Sequence, residues 1–297
     1  MAIYLCYAPR AAVDEDGETN SMSSDAYLGM RPGDLDDKAY AGYWNPEMAP
    51  LSAEAQQALL QSPLPRGYGF PVQESAQLLQ AGYLPLESGY TRLASGEVFV
   101  AVKTPMPGVS GEMIDWWFGW HSNESQRYKL WHPHAHMRAV LKHPTGETPG
   151  LSDRERYVGN TSFVDEYIGD TVQELAIQFK EPGQLGLDER QFAAAGVQTA
   201  VCAEVGPAGI PINYGKLIHL IRETNDGCEM RSRFWLGKAC LRDKAADHFA
   251  NRLLGSRLVS KLAIPRNLGH DMVVHCAMEM THLASFLPAL YADYHPK

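Results

Sequence analysis

Apolar and polar residues alternate, or apolar residues run together, in seven segments of the second part of the chain, and these patterns predict β-strands. The strands are expected at residues 97–106, 136–142, 162–168, 171–180, 198–205, 216–223 and 228–236. Gly169-Asp170 separates two of them, and the tetrapeptide Thr224-Asn225-Asp226-Gly227 lies between the last two. Such short, Gly-containing connections are typical of hairpins, so we expect an antiparallel sheet.

Apolar residues at helical spacing predict helices at residues 244–260 and 270–291, and the second is apolar on most sides, as in a buried helix. Shorter helices are predicted at 52–61, 72–81 and 111–119. This order predicts an α+β fold of the helix-grip type, a curved antiparallel sheet around a long C-terminal helix with a cavity between them. Residues 1–95 would form a small, loop-rich N-terminal unit, and residues 96–297 the helix-grip domain.

Composition narrows the function classes. The 297-residue chain has a formal net charge of −9, which disfavours a nucleic-acid partner. It has five cysteines, an odd number without metal-site spacing, which favours a reducing compartment over a disulfide framework. Neither a secretory signal nor a membrane span is recognisable, so we expect a cytoplasmic protein that does not contact membranes.

Histidine and glutamate residues suggest a metal site. His275 and Glu279 are four residues apart and share one face of the predicted C-terminal helix. Zinc prefers His nitrogen and carboxylate oxygen, but two ligands are insufficient. Candidates for the others are His136, at the start of a strand, and Glu166, on the apolar face of another, where a carboxylate is costly to bury without a cation.

The same residues allow other interpretations. His275 and Glu279 would also suit a hydrogen-bonded core pair without metal, and Glu166 could instead pair with Arg231 or Arg233. His132 and His134 could face solvent, orient neighbours or touch the site.

The stretch D-W-W-F-G-W-H-S-N-E-S-Q-R-Y-K-L-W-H-P-H-A-H, together with M-R-S-R-F-W-L-G and the helical H-C-A-M-E, resembles the 2,4-diacetylphloroglucinol hydrolase family, which includes phloretin hydrolases. The resemblance implies a birch-pollen-allergen-like helix-grip domain, a small dimerisation unit and hence a homodimer. It also implies a zinc ion held by two His and two Glu, which match His136, Glu166, His275 and Glu279.

The resemblance also implies a substrate and a mechanism. The substrate would be a small aromatic acyl phenol, whose acyl–ring carbon–carbon bond is hydrolysed with zinc-bound water as nucleophile. Tyr128 matches a tyrosine that holds the phenol, Phe234 stands in place of a second tyrosine, and Ala139 in place of a polar contact. Because phenylalanine cannot donate a hydrogen bond, the natural substrate would differ from 2,4-diacetylphloroglucinol.

Further roles follow as hypotheses. His132 or His134 would carry the proton. Trp117 would line the substrate pocket, unless it is an aromatic residue of the core. The rival functions are a zinc hydrolase or lyase acting on another β-dicarbonyl or polyketide, and a non-catalytic module that binds hydrophobic ligands.

Overall fold

One antiparallel sheet dominates the computed structural model, which describes residues 26–146, 148–243 and 265–295. Within these residues the sheet has eight strands in the order β1-β2-β8-β7-β6-β5-β4-β3. Their bounds are β1 Gly89–Arg92, β2 Val98–Pro107, β3 His136–Leu141, β4 Thr161–Ile168, β5 Thr171–Lys180, β6 Val197–Pro207, β7 Ile212–Thr224 and β8 Gly227–Leu241.

The α-helices are α1 Ala53–Gln61, α2 Gly111–His121, α3 Ser125–Trp131, α4 Asp153–Tyr157 and α5 Leu268–Tyr294. Several begin at a serine that caps a free backbone amide, as Ser52 does for α1 and Ser110 for α2. Short 3-10 helices lie at Ala39–Tyr43, Arg66–Tyr68, Val72–Leu79, Pro182–Leu185, Glu189–Gln191 and Ala193–Ala195.

Both predicted hairpins are present. Ile168 pairs with Thr171 across the β4–β5 turn, where Gly169 has a φ of 65°, and Thr224 pairs with Gly227 across the β7–β8 turn. The seven predicted strands correspond to β2–β8. The structure adds the four-residue edge strand β1, which pairs with β2.

The long helix α5 lies on the inner face of the sheet. It contacts β1 and β2 near one edge and β4 near the other, which requires the sheet to curve around it. The main apolar core fills this interface, with Val100, Val102 and Phe234 from the sheet and Val273 and Met280 from the helix. The predicted α+β helix-grip fold, a curved antiparallel sheet around a long C-terminal helix, is therefore confirmed.

A second apolar cluster covers the outer face of the sheet. Residues 70–86 pack there, and Phe70 contacts Phe99 and Trp235, whose indole N–H donates to the Phe70 carbonyl at 2.7 Å. Beside this cluster, Glu87 accepts hydrogen bonds from Arg231 and Arg233. Segments preceding β2 thus complete the sheet domain.

The helix predicted at 244–260 lies outside the described residues. The segment predicted as a helix at 72–81 forms the 3-10 helix Val72–Leu79 instead. In the described part of the chain, no helix combines the length and apolarity that crossing a bilayer requires.

Candidate metal centre

The first half of the site comes from two neighbouring strands. His136 begins β3 and is paired directly with Glu166 of β4, next to an irregularity between His136 and Arg138. Both side chains are buried. Their Nε2 and Oε2 atoms are 3.6 Å apart, so the register of two strands brings an imidazole and a carboxylate together on the inner face.

The second half comes from α5. His275 and Glu279 lie one turn apart with 3.6 Å between Nε2 and Oε2, and the same Glu279 oxygen is 3.5 Å from His136 Nε2. One ligand atom each from His136, Glu166 and His275 lie within 4.8 Å of one another. The four predicted ligands therefore converge between helix and sheet.

The His136 imidazole shows why this arrangement fits a cation. Its Nδ1 bonds the Tyr128 carbonyl at 3.0 Å and so must carry a proton, while its Nε2 is buried without a hydrogen-bond partner. Burial, together with neighbouring His132 and His275, lowers the pKa of His136 well below its usual value, so the ring is neutral. Its Nε2 lone pair then faces the carboxylates of Glu166 and Glu279, an unfavourable contact that a shared cation would relieve.

The negative charge of the buried Glu279 carboxylate is unfavourable as well. Burial, and next the charge of Glu166, raise the pKa of Glu279 well above its usual value. A bound divalent ion would reverse this effect, because its charge favours the carboxylate. Two His nitrogens and two carboxylate oxygens form a donor set that zinc accepts.

Tyr128, on α3, fixes two of these ligands. Its hydroxyl donates to Glu166 Oε2, and its backbone carbonyl accepts from His136 Nδ1. Burial and the Glu166 charge raise the pKa of Tyr128 well above its usual value, so the phenol stays protonated and remains a donor. Partners of this kind set the orientation and tautomer of metal ligands.

A family model described as DAPG hydrolase PhiG domain matches residues 70–292. The chain belongs to this family. It is 33% identical over 267 residues to the 2,4-diacetylphloroglucinol hydrolase of Pseudomonas protegens, covering 86% of this chain and 85% of that protein. It is 30% identical over 261 residues to the phloretin hydrolase of Eubacterium ramulus, covering 86% and 90%. The predicted hydrolase family is thereby confirmed.

Two solved structures align with much of this chain at low sequence identity. Ara h 8.0201 aligns with 64% of this chain and 99% of its own, at a TM-score of 0.36 and 8% identity. Norcoclaurine synthase from Thalictrum flavum aligns with 68% and 91%, at a TM-score of 0.33 and 11% identity.

In this DAPG hydrolase family member, two histidines considered as proton carriers occupy different environments. His132 is buried and stacks on His275 with centroids 5.0 Å apart, and burial lowers its pKa to about 2. His134 is exposed, and its Nε2 contacts the Pro46 carbonyl at 2.8 Å. His132 therefore lies against the His136–His275 cluster, whereas His134 contacts the backbone of Pro46.

The residues expected to contact substrate are all buried. Phe234 and Ala139 belong to the main core on the inner face, and Ala139 pairs with Val164 of β4. Trp117 is fully buried among aromatic rings, within 6.0 Å of the Trp120, His121, Trp131 and Phe286 centroids. Its position favours a role in packing of the α2–α3 layer.

The sequence interpretation missed His219, on β7. Its ring lies 5.7 Å from Phe234, its Nδ1 bonds Ser232 Oγ at 2.8 Å, and burial lowers its pKa to about 3. It is therefore a neutral imidazole on the inner face. The alternation of Leu217, His219 and Ile221 along the predicted strand was the signal that could have identified it.

The alternative partners considered for Glu166 are wrong. Arg231 and Arg233 are on the outer face, where both contact Glu87 at 2.6 and 2.5 Å. This removes the cations that the sequence offered for Glu166 and leaves its carboxylate to the His136 cluster.

Proposed function

We propose that the chain is a zinc-dependent hydrolase that cleaves the carbon–carbon bond between an acyl group and a polyhydroxylated aromatic ring. The observation that carries this proposal is the His136 Nε2 lone pair, buried without a hydrogen-bond partner and facing two buried carboxylates. The names of the relatives, 2,4-diacetylphloroglucinol hydrolase and phloretin hydrolase, supply the substrate class.

The reaction needs an activated ring because an aryl carbanion is a poor leaving group. Protonation of the ring carbon that bears the acyl group, with loss of a proton from a ring hydroxyl, gives a β-diketone-like tautomer. Addition of water to the acyl carbonyl, followed by cleavage of the carbon–carbon bond, releases a carboxylic acid and an enolate of the ring. That enolate is the phenolate of the product, so the electrons of the broken bond end on a ring oxygen.

Different residues of the site would bind the ion, hold its ligands and carry the proton. His136, Glu166, His275 and Glu279 would hold the ion. When bound, zinc would supply a Lewis acid that polarises the acyl carbonyl and lowers the pKa of water. Tyr128 holds Glu166 and His136 in place. His132 and His219 are buried neutral imidazoles, and His132, which stacks on His275, is the proposed proton carrier.

Phe234 and Ala139 favour a second candidate within the same chemistry. Both are apolar, and neither side chain can donate a hydrogen bond to a ring hydroxyl. A substrate with fewer ring hydroxyls, or another β-dicarbonyl compound, would suit them better than 2,4-diacetylphloroglucinol. A substrate panel separates these possibilities.

The decisive experiment compares metal content in three proteins purified without chelators: wild type, Glu279→Gln and Asp115→Asn. Asp115 is a matched control, because its carboxylate is also removed from full exposure and also accepts from a tyrosine, Tyr157, but lies outside the cluster. We expect about one zinc per chain in the wild type and control, and little in Glu279→Gln.

The activity assay follows release of the carboxylic acid from 2,4-diacetylphloroglucinol and from phloretin. We expect the wild type and control to cleave at least one of them, and Glu279→Gln to be inactive. If the wild type takes up no metal even when zinc is offered, the proposal is wrong, and a module that binds hydrophobic ligands is the better interpretation.

The homodimer stays a prediction, as does a domain boundary at residue 95. Leu60 on α1 is 88% exposed, an apolar group that a subunit contact would cover. Light scattering on the purified chain tests the expected mass of a dimer.

A further inference from the structure

Tyr214 lies where the regular pairing of β7 with β8 breaks. Asn213 pairs with Cys240 and Gly215 with Leu236, so the three residues 237–239 oppose the single residue Tyr214. Bulges of this kind redirect side chains and are frequent next to active sites. The Asn213 amide donates to Gln178, while Tyr214 packs against the main core under the sheet.

The strand registers place Tyr214 at about the same height in the sheet as the part of β4 that precedes Glu166. Gly215 pairs with Val205 on β6, two residues before Pro207, which pairs with Leu175 on β5. Leu175 in turn pairs with Val164. Val164 and Glu166 alternate onto the same face of β4, so Tyr214 and Glu166 both line the inner face of the sheet.

The electrostatics of Tyr214 agree with this placement. Burial raises its pKa to about 12, and the charge of Glu166 contributes. At neutral pH the hydroxyl is therefore protonated and can donate. Within the described residues it makes no hydrogen bond, unlike the Tyr128 hydroxyl, which is already committed to Glu166.

A part-buried donor without a partner on the inner face is suited to a ligand oxygen. The strand next to it supplies Phe234, which offers only an apolar ring. We propose that the Tyr214 hydroxyl donates a hydrogen bond to a ring oxygen of the phenolic substrate and so determines which hydroxylation patterns the site accepts. This inference rests on the proposed function for its substrate class.

The test is Tyr214→Phe, which removes the hydroxyl and keeps the ring. For 2,4-diacetylphloroglucinol we expect kcat/KM to fall about tenfold or more, mainly through KM, because a hydrogen bond to substrate is lost. Affinity for phloroglucinol, which has no bond to cleave, should weaken similarly in calorimetry. Zinc content and melting midpoint should match the wild type.

Tyr291→Phe is the matched control. Tyr291 is also partly buried against the main core, but its ring lies beside Trp116, and the charges that act on it are those of Glu112 and Asp153. We expect this variant to keep both kcat/KM and phloroglucinol affinity.

The outcomes separate the two proposals. If Tyr214→Phe retains wild-type kcat/KM and phloroglucinol affinity, or if it melts far below the wild type, Tyr214 is a packing residue and the inference is overturned. If the wild type binds phloroglucinol through Tyr214 but cleaves no acyl phenol, the hydrolase proposal fails while the contact stands. If it neither binds nor cleaves, both are overturned.

Discussion

The phenol ring of Tyr128 lies flat on the imidazole of His136, with ring centroids 3.8 Å apart and planes inclined by only 2°. The same tyrosine also bonds to Glu166 and, through its carbonyl, to His136. One residue of a short helix therefore sets the orientation of a ligand from each of two strands. Helix α3 thereby holds His136 of β3 and Glu166 of β4 in the arrangement proposed for the metal site.

Tyr128→Phe should weaken zinc binding while the fold persists. The ring stack survives the change, but Glu166 loses its donor, and loss of such a partner lowers metal affinity about 10–100-fold. A competition titration with a zinc chelator measures the change. Tyr157→Phe is the control, since it also breaks a tyrosine–carboxylate bond, of 2.6 Å to Asp115, away from the cluster. Equal zinc affinity in all three proteins would contradict the prediction.

His132→Ala and His134→Ala should behave differently. His132 is buried against His275, so its removal takes away a proton carrier and should lower kcat about 100-fold or more. His134 is exposed and its ring bonds a backbone carbonyl, that of Pro46, so kcat should stay near the wild-type value. Steady-state kinetics with zinc-saturated proteins measures both. A larger loss in His134→Ala than in His132→Ala would reverse the assignment.

Phe234→Tyr should improve the use of substrates rich in ring hydroxyls. The added hydroxyl would lie on the inner face near His219 and supply a donor that phenylalanine lacks. We expect KM for 2,4-diacetylphloroglucinol to fall about tenfold. Phe234→Leu controls for altered packing, because it changes the ring without adding a donor. An unchanged KM in Phe234→Tyr would remove residue 234 from the substrate contact.

The Glu87 cluster should make stability depend on acid pH. Burial opposes ionisation of Glu87, but the hydrogen bond of Arg231 and the charges of Arg233 and Arg231 outweigh it and lower the pKa to about 2. Because the folded pKa lies below the unfolded one, the stabilisation is complete above about pH 4.3. It is lost as pH falls from there towards pH 2. Denaturant unfolding across this range measures the loss.

Glu87→Gln should remove that acid dependence and cost about 3–5 kcal/mol at pH 7, because two buried guanidinium groups lose their carboxylate. Asp188→Asn is the control. Asp188 also has a pKa lowered to about 2, but its partner Arg190 is two residues away and exposed, a contact that the unfolded chain can make. A stability profile of Glu87→Gln parallel to wild type would contradict the prediction.

The sequence predicted most of the fold because strand alternation and helical spacing are local properties. The second strand of each hairpin, the long α5 helix and the apolar-face position of Glu166 were all visible in the pattern. Helix α4 was not predicted, although Ser152 and Glu155 form a capping box that marks its start. Strand β1, with four residues, is too short to show a period.

The features that escaped prediction depend on distant pairing. The inward turn of Tyr214 results from a mismatch in length between β7 and β8, which no local period reveals. The partner of Arg231 is Glu87, 144 residues earlier, and nothing in the sequence around either residue indicates the other. The four His and Glu side chains could be proposed as a set, but only the register of β3 with β4 brings His136 beside Glu166.

The segment 70–87 packs on the outer face of the sheet, and this packing affects how cooperatively the chain folds. Removing residues 70–87 would expose Trp235 and leave two guanidinium groups of β8 without a counter-ion. A fragment that begins near residue 96 should therefore aggregate instead of folding, and the segment from residue 70 onwards should unfold together with the sheet. Calorimetry would then record a single transition for this part of the chain.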